Sequence, residues 1–159
     1  MNSKQIPNTT LVEIYPKTEM EVVGEGEVKF STKPFVSREF LTCAAVVFDY
    51  GNVAAFAHAL PIGWENKEMG VAIGTVLDYM IKESEKRYSN PRDAKVYISA
   101  GYQSSLDYLV RILTEKGIQI LEAKARFKTE DEAYKAPKKV VVYRNHRLEV
   151  HPDHDFFDL

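Results

Sequence analysis

Apolar residues recur along this chain in two rhythms, one of extended strands and one of helices. Near the N-terminus the runs are short. Leu11-Val12-Glu13-Ile14-Tyr15 reads as a strand stopped by Pro16, and Glu21-Val22-Val23 and Glu27-Val28-Lys29-Phe30 read as extended pieces around the turn Gly24-Glu25-Gly26. Cys43-Ala44-Ala45-Val46-Val47-Phe48 is nearly continuous in apolar character. Asp49-Tyr50-Gly51-Asn52 interrupts it, and Val53-Ala54-Ala55-Phe56-Ala57-His58-Ala59-Leu60 resumes it. Two apolar runs of strand length joined through a Gly/Asn turn predict a buried hairpin. Pro61 ends the second strand, because it has no N–H to give to a ladder.

The rhythm then changes. Ile73, Val76, Leu77, Met80 and Ile81 fall on one helical stripe, with Asp78, Lys82, Glu85 and Lys86 opposite, and Pro91 closes the region. Leu106, Leu109, Val110 and Leu113 mark a second helix. Ser104, with Asp107 three residues on, approximates a capping box at its start, and Gly117 is placed to end it in a left-handed turn. Lys95-Val96-Tyr97-Ile98-Ser99 between the helices reads as a strand. Ile118-Gln119-Ile120-Leu121 follows as another, then a polar stretch through Lys138, the strand Val140-Val141-Val142-Tyr143, and a short edge strand at Leu148-Glu149-Val150. Strands, two main helices and further strands predict a layered α+β domain with the helices covering a mostly mixed sheet.

The chain has 159 residues, enough for one domain with a core that needs no disulfide or metal. It is expected to be a single domain over 1–159, with 1–10 and 152–159 as flexible or docking tails. A formal net charge of −2 offers no field for nucleic acid or an anionic membrane. Lys135, Lys138 and Lys139 cluster on an expected loop, but no stripe of arginines and aromatics accompanies them. The segment Met1 to Gln5 is polar with no long apolar stretch after it, and no run reaches the roughly 18 apolar residues of a spanning helix. With 1 cysteine there is no internal disulfide, so a reducing, cytoplasmic setting is expected.

That cysteine, Cys43, stands where a polar loop enters a buried strand, and His58 lies fifteen residues on in the next strand. A hairpin around Tyr50-Gly51-Asn52 puts each about seven positions from the turn, which makes them candidate cross-strand neighbours. An imidazole there takes the thiol proton, and an imidazolium keeps thiolate present at neutral pH. The structural alternative is a buried cysteine and a hydrogen-bonded core histidine.

Phe40-Leu41-Thr42-Cys43-Ala44-Ala45-Val46-Val47-Phe48-Asp49, followed by Ala57-His58-Ala59-Leu60-Pro61, resembles the signature of the chemoreceptor glutamine deamidases, the CheD family. Ala94-Lys95-Val96-Tyr97-Ile98-Ser99-Ala100 is similar to a later strand of that family, and Leu106 to Ile120 to its following helix and Glu-x-Gly-Ile turn. The resemblance covers roughly residues 35 to 145. Leu41-Thr42 stand where the family carries Gly-Ser, Ile98-Ser99 replace Gly-Gly, and Ala133 to Lys138 replaces a Gly-rich segment. Bacterial toxins that deamidate a host glutamine share the Cys-then-His order on related α/β/β layers, so an α/β/β domain with mixed sheets is expected here.

The resemblance implies a cysteine amidohydrolase with Cys43 as nucleophile, His58 as base and acid, and Ser37 as the hydroxyl that orients His58. Thr42, Ser99 and Tyr102 are the candidate substrate-binding residues. It implies as substrate a protein with an exposed glutamine, a chemotaxis regulatory protein as partner, and no cofactor. The rival expectation, allowed by the lost glycines, is a catalytically weak or inactive protein-binding module on the same scaffold.

Three further groupings are weaker. His146, His151, Asp153, His154 and Asp155 are suitable ligand types, but their spacing matches no closed zinc pattern and Pro152 interrupts it, so a solvated tail is expected. Phe156-Phe157 is expected to pack on the domain or a neighbour. Tyr102-Gln103-Ser104-Ser105 stand at a helix start, where N–H groups can hold an anion or carboxamide, though plain capping by Ser104 is the expected role.

Overall fold

A computed structural model describes residues 19–60, 73–87 and 90–153. The expected strand Leu11 to Tyr15, the strand stop at Pro61, and the tail from His154 onward lie outside them. In chain order the strands are β1 (Glu21–Val22), β2 (Val28–Ser31), β3 (Phe35–Phe40), β4 (Ala44–Asp49) and β5 (Ala54–Ala59). Helix α1 (Ile73–Arg87) follows, then β6 (Lys95–Tyr102), α2 (Gln103–Glu115), β7 (Ile120–Phe127), the short α3 (Glu130–Lys135), β8 (Lys139–Arg144) and β9 (Arg147–Pro152).

The strands divide between two mixed sheets, one in the order β1-β3-β8-β9 and one in the order β2-β5-β4-β6-β7. The apolar hairpin forms as expected: β4 and β5 pair antiparallel from Ala44↔Ala59 to Asp49↔Ala54. Both strands are buried on both faces, which is why they read as continuous apolar runs instead of alternating. One face carries Ala44, Val46, Phe48, Ala55, Ala57 and Ala59 under the helices, packed on Val76, Leu77, Met80, Leu106, Leu109 and Leu113. The other carries Cys43, Ala45, Val47, Ala54 and Phe56, packed on Phe35, Phe40, Val141 and Tyr143 of the second sheet. Helices, five-stranded sheet and four-stranded sheet thus stack as α/β/β layers, an α+β architecture.

The pieces flanking Gly24-Glu25-Gly26 do not pair with each other. β1 runs parallel to β3 in one sheet, and β2 runs antiparallel to β5 in the other. The turn therefore carries the chain from one layer to the next. Helix α2 ends as expected, with Gly117 at φ 75 and Ile118 N–H bonding to Leu113 C=O at 2.9 Å. Its start differs. Tyr102 is the cap and makes no side-chain cap bond, and Ser104 sits inside the first turn. Asp107 instead accepts from the Gln103 side chain at 2.9 Å, so no capping box forms.

The polar stretch after Leu121 is also structured. β7 continues to Phe127, and Thr129 caps α3 by accepting from Glu132 N–H at 3.2 Å. The lysine cluster is split accordingly: Lys135 ends α3 paired with Asp131, Lys138 pairs with Glu39, and Lys139 opens β8. Among the described residues no helix is long and apolar enough to cross a membrane.

Candidate active site between the sheets

β3 would place Phe35, Ser37 and Glu39 on its inner face by strict alternation. A bulge prevents this. The register with β8 steps from Ser37↔Val141 to Phe40↔Lys139, and Glu39 adopts φ 66. The extra residue turns Glu39 out to solvent and Phe40 inward, beside Ser37. The Phe40 ring then stacks on the imidazole of His58 from the facing sheet, with centroids 3.8 Å apart and planes 15° from parallel.

His58 is wholly buried, at 0% exposure. Its backbone is tied to the crossing turn: Gly26 N–H bonds to its carbonyl at 2.8 Å, and its own N–H bonds to Glu27 C=O at 3.1 Å. Its Nδ1 lies 2.7 Å from Ser37 Oγ, and the Ser37 hydroxyl donates to Val23 C=O at 2.6 Å. A hydroxyl has one hydrogen, so Ser37 accepts from Nδ1–H, and this network assigns Nε2 as the bare, basic nitrogen. Nε2 has no hydrogen-bond partner among the described residues. A buried polar atom left unpaired costs about 1–3 kcal/mol.

Cys43 sits just before β4, on the same inter-sheet face. Ala45 is the residue directly opposite His58, so Cys43 is its diagonal neighbour and not the direct cross-strand partner expected from equal counting to the turn. Diagonal residues on one face stand roughly 7–8 Å apart, somewhat less at Cβ, within reach of aromatic and long side chains. The cysteine is free and 5% exposed.

The protonation states differ from the expected thiolate–imidazolium pair. Burial, with Glu25 adding to it, pushes the Cys43 thiol up to about 12, while the Arg126 charge works the other way. Burial and then Arg126 hold His58 down to about 3. Both are therefore neutral at pH 7, a thiol and a free imidazole on one inter-sheet face with no hydrogen bond between them.

Two residues that build this site carried no expectation. Arg126, from β7, donates through Nη1 to Ser99 C=O at 2.9 Å and Ser99 Oγ at 2.8 Å. Through Nη2 it donates to Leu41 C=O at 3.4 Å and, at short range, to Cys43 C=O. Its guanidinium carbon lies 5.4 Å from the Phe40 centroid, on the ring that stacks on His58. The sequence held a signal for it. Glu122-Ala123-Lys124-Ala125-Arg126 alternates strictly, which marks a strand whose alanines pack under the helices and whose charged residues share the opposite face. The second is Gly101. A Cβ built there would lie 2.5 to 2.7 Å from the backbone of Thr42, so only glycine lets the loop carrying Cys43 close onto β6.

The remaining candidates take different places. Thr42 is buried, with its backbone against Gly101. Ser99 is buried and committed to Arg126. Tyr102 is buried near Cys43. Burial, with the charge of Glu130 and a hydrogen bond to it, raises its phenol to about 12. Ser104 is exposed. In the C-terminal group, His151 bonds to Glu149 at 2.9 Å and Asp153 pairs with Arg38 at 2.7 Å, while His146 lies in the β8–β9 turn. Among the described residues no three His, Cys, Asp or Glu side chains gather as for a metal ion.

Layers and site together define an α/β/β sandwich with a Cys–His pair sealed between its sheets. No protein-family model matches the chain, and no curated protein sequence matches it significantly. Among solved structures it is similar to the C-terminal domain of CNFy from Yersinia pseudotuberculosis, with a TM-score of 0.32 and 12% identity. The match covers 82% of this chain and 54% of that one, so the chain spans about half the length of that structure. A likeness of that size is too slight to assign the chemistry of this chain, which rests on its own residues.

Proposed function

We propose that the protein is a cysteine-dependent amidohydrolase acting on a glutamine side chain of a protein substrate. One observation carries this: the single cysteine shares a sealed inter-sheet face with a histidine whose Nδ1–H is bonded to Ser37 and whose Nε2 is bare. The chemistry follows from those atoms. His58 Nε2 removes the thiol proton as Sγ attacks the carboxamide carbon, and the tetrahedral intermediate collapses with loss of ammonia, which takes that proton from His58. Water, deprotonated by Nε2, then cleaves the thioester and returns a glutamate carboxylate and the Cys43 thiol. The motifs around Cys43, His58 and Lys95 to Ala100 support a chemoreceptor-like substrate and a chemotaxis regulatory partner. An enzyme of this kind works in a reducing cytoplasm, where a lone thiol stays free.

A second proposal, a catalytically silent binding module, is favoured by the 5% exposure of Cys43 and its raised thiol. Alkylation by iodoacetamide across the neutral and mildly alkaline range separates the two. An amidohydrolase should lose reactivity on His58→Ala, because the base is gone. A thiol that reacts equally slowly with and without His58 is structural, and the enzyme proposal then fails.

A further inference from the structure

Resting on the amidohydrolase reading, we propose that Arg126 is the positioning residue of the Cys43–His58 pair, a fixed cation that clamps the nucleophile's loop and awaits the thiolate as its counter-ion. All four of its acceptors are neutral: the carbonyls of Leu41, Cys43 and Ser99 and the hydroxyl of Ser99. No carboxylate pairs with it among the described residues, although Nε is sealed from solvent and also lacks a partner. Enclosing a guanidinium without a counter-ion is costly, and burial pulls its own pKa down to about 10. A tie between two loops needs only neutral donors such as an amide. A charge kept at this cost, beside the loop that carries a thiol, is what a reaction passing through a thiolate uses.

The groups facing Cys43 make the balance explicit. Glu25, in the turn between the layers, opposes thiolate formation, and Arg126 from β7 favours it. Tyr102, at the end of β6, has its hydroxyl engaged by Glu130 of α3, and His58 of β5 stands neutral. Burial keeps His58 unprotonated and the Arg126 charge adds to it, with the Phe40 ring in contact with both. The cation thus favours loss of the proton from sulfur and keeps the imidazole lone pair free at rest, while it opposes the imidazolium that the transfer creates. Its forked geometry spans Leu41, Cys43 and Ser99 at once, while the charge it sets beside the thiol is one that a lysine also carries.

The test is the pH profile of Cys43 alkylation by iodoacetamide in the full chain, comparing wild type, Arg126→Gln and Arg126→Lys, with circular dichroism confirming the fold. Removing the charge is expected to slow alkylation near neutral pH about tenfold, equivalent to about one pKa unit, and to move the profile to higher pH. Arg126→Lys should recover the profile to within about threefold, because it restores the charge. A wild-type profile in Arg126→Gln, or equal displacement by both variants, overturns the proposal and leaves Arg126 a loop tie. Should the variants not fold, Glu25→Arg adds a cation from the exposed turn. Alkylation several-fold faster supports electrostatic control of the thiol, and an unchanged rate overturns it. His58→Ala keeps the two proposals apart. A profile altered by Arg126→Gln but not by His58→Ala removes the amidohydrolase and keeps the cation's hold on sulfur. The reverse removes Arg126 alone.

Discussion

At one end of the β4–β5 hairpin Asp49 reaches from the five-stranded sheet to the four-stranded one, and at the other end His58 does the same. Asp49 is buried and accepts from three donors: Gly51 N–H at 2.7 Å, the Tyr143 hydroxyl, and His146 Nδ1 at 2.7 Å. The burial of Tyr143 and its bond to the carboxylate raise its phenol well above the ordinary range, so it stays a donor. Both carboxylate oxygens of Asp49 accept hydrogen bonds, and the result is a clasp between sheets. His58 makes one side-chain hydrogen bond and keeps its second nitrogen bare. Both ends bury a polar group beneath the same two layers. The Asp49 end is closed by its own donors, while the His58 end keeps an unpaired imidazole nitrogen on the face that Cys43 shares.

The sharpest way to break this comparison is acid. His58 has a folded-state pKa of about 3, against about 6.5 in the unfolded chain. The unfolded chain binds a proton that the native state refuses, so the stability due to a neutral His58 is complete above about pH 6.5. It declines as pH falls toward about 3, by up to roughly 1.4 kcal/mol per unit and roughly 5 kcal/mol in all. Urea midpoints for wild type and His58→Gln should converge as pH falls. A constant gap between them would remove the buried neutral imidazole from the account. Next in size is Asp49→Ala, which strands the Tyr143 hydroxyl between the sheets and deletes charge-assisted bonds. A loss of about 3 kcal/mol in denaturant unfolding is expected, with Cys43 alkylation unchanged because the clasp is at the far end of β4.

Ser37→Ala sharpens the contrast from the other side. It leaves Nδ1–H and Val23 C=O unpaired, at a cost of about 2 kcal/mol, and frees the imidazole to turn or change tautomer. It should slow His58-dependent alkylation where Asp49→Ala does not. A Ser37→Ala protein with wild-type thiol reactivity would remove Ser37 from the site and leave it a buried tether.

What the sequence revealed of this arrangement follows a physical divide. The β4–β5 hairpin was legible because both its faces are buried and its turn is spelled in Gly and Asn. The stripe of α1 was legible because one face alone is apolar. Cys43 and His58 stood out as polar or reactive types inside those runs. Their diagonal offset depends on where the turn residues fall out of the ladder, a matter of one residue that composition does not encode. The bulge at Arg38–Glu39 was invisible for the same reason, and it alone turns Phe40 onto His58. Arg126 lies 83 residues from Cys43 in the chain, so pairing them requires the parallel β6–β7 contact, a long-range fact. The protonation states were inverted because burial, which sets them, belongs to the layers and not to the motif.

The smallest expected effect lies in the turn that completes the Asp49 clasp. Arg144 pairs with Arg147 across a two-residue loop in which Asn145 has φ 52 and His146 φ 58, the geometry of a type I′ turn. Asn is at home at the first of these positions, but glycine is the preferred residue at the second, and a left-handed histidine is held there at a cost of about 1 kcal/mol. Its compensation is the bond to Asp49, made by a side chain that remains 63% exposed. His146→Gly relieves the backbone and forfeits the bond, two terms of similar size and opposite sign, so the unfolding free energy should change by less than about 0.5 kcal/mol. Asp49 keeps Gly51 and Tyr143, and water replaces the exposed imidazole. A loss of several kcal/mol would mean that the third donor, not the first two, holds the sheets together at that end.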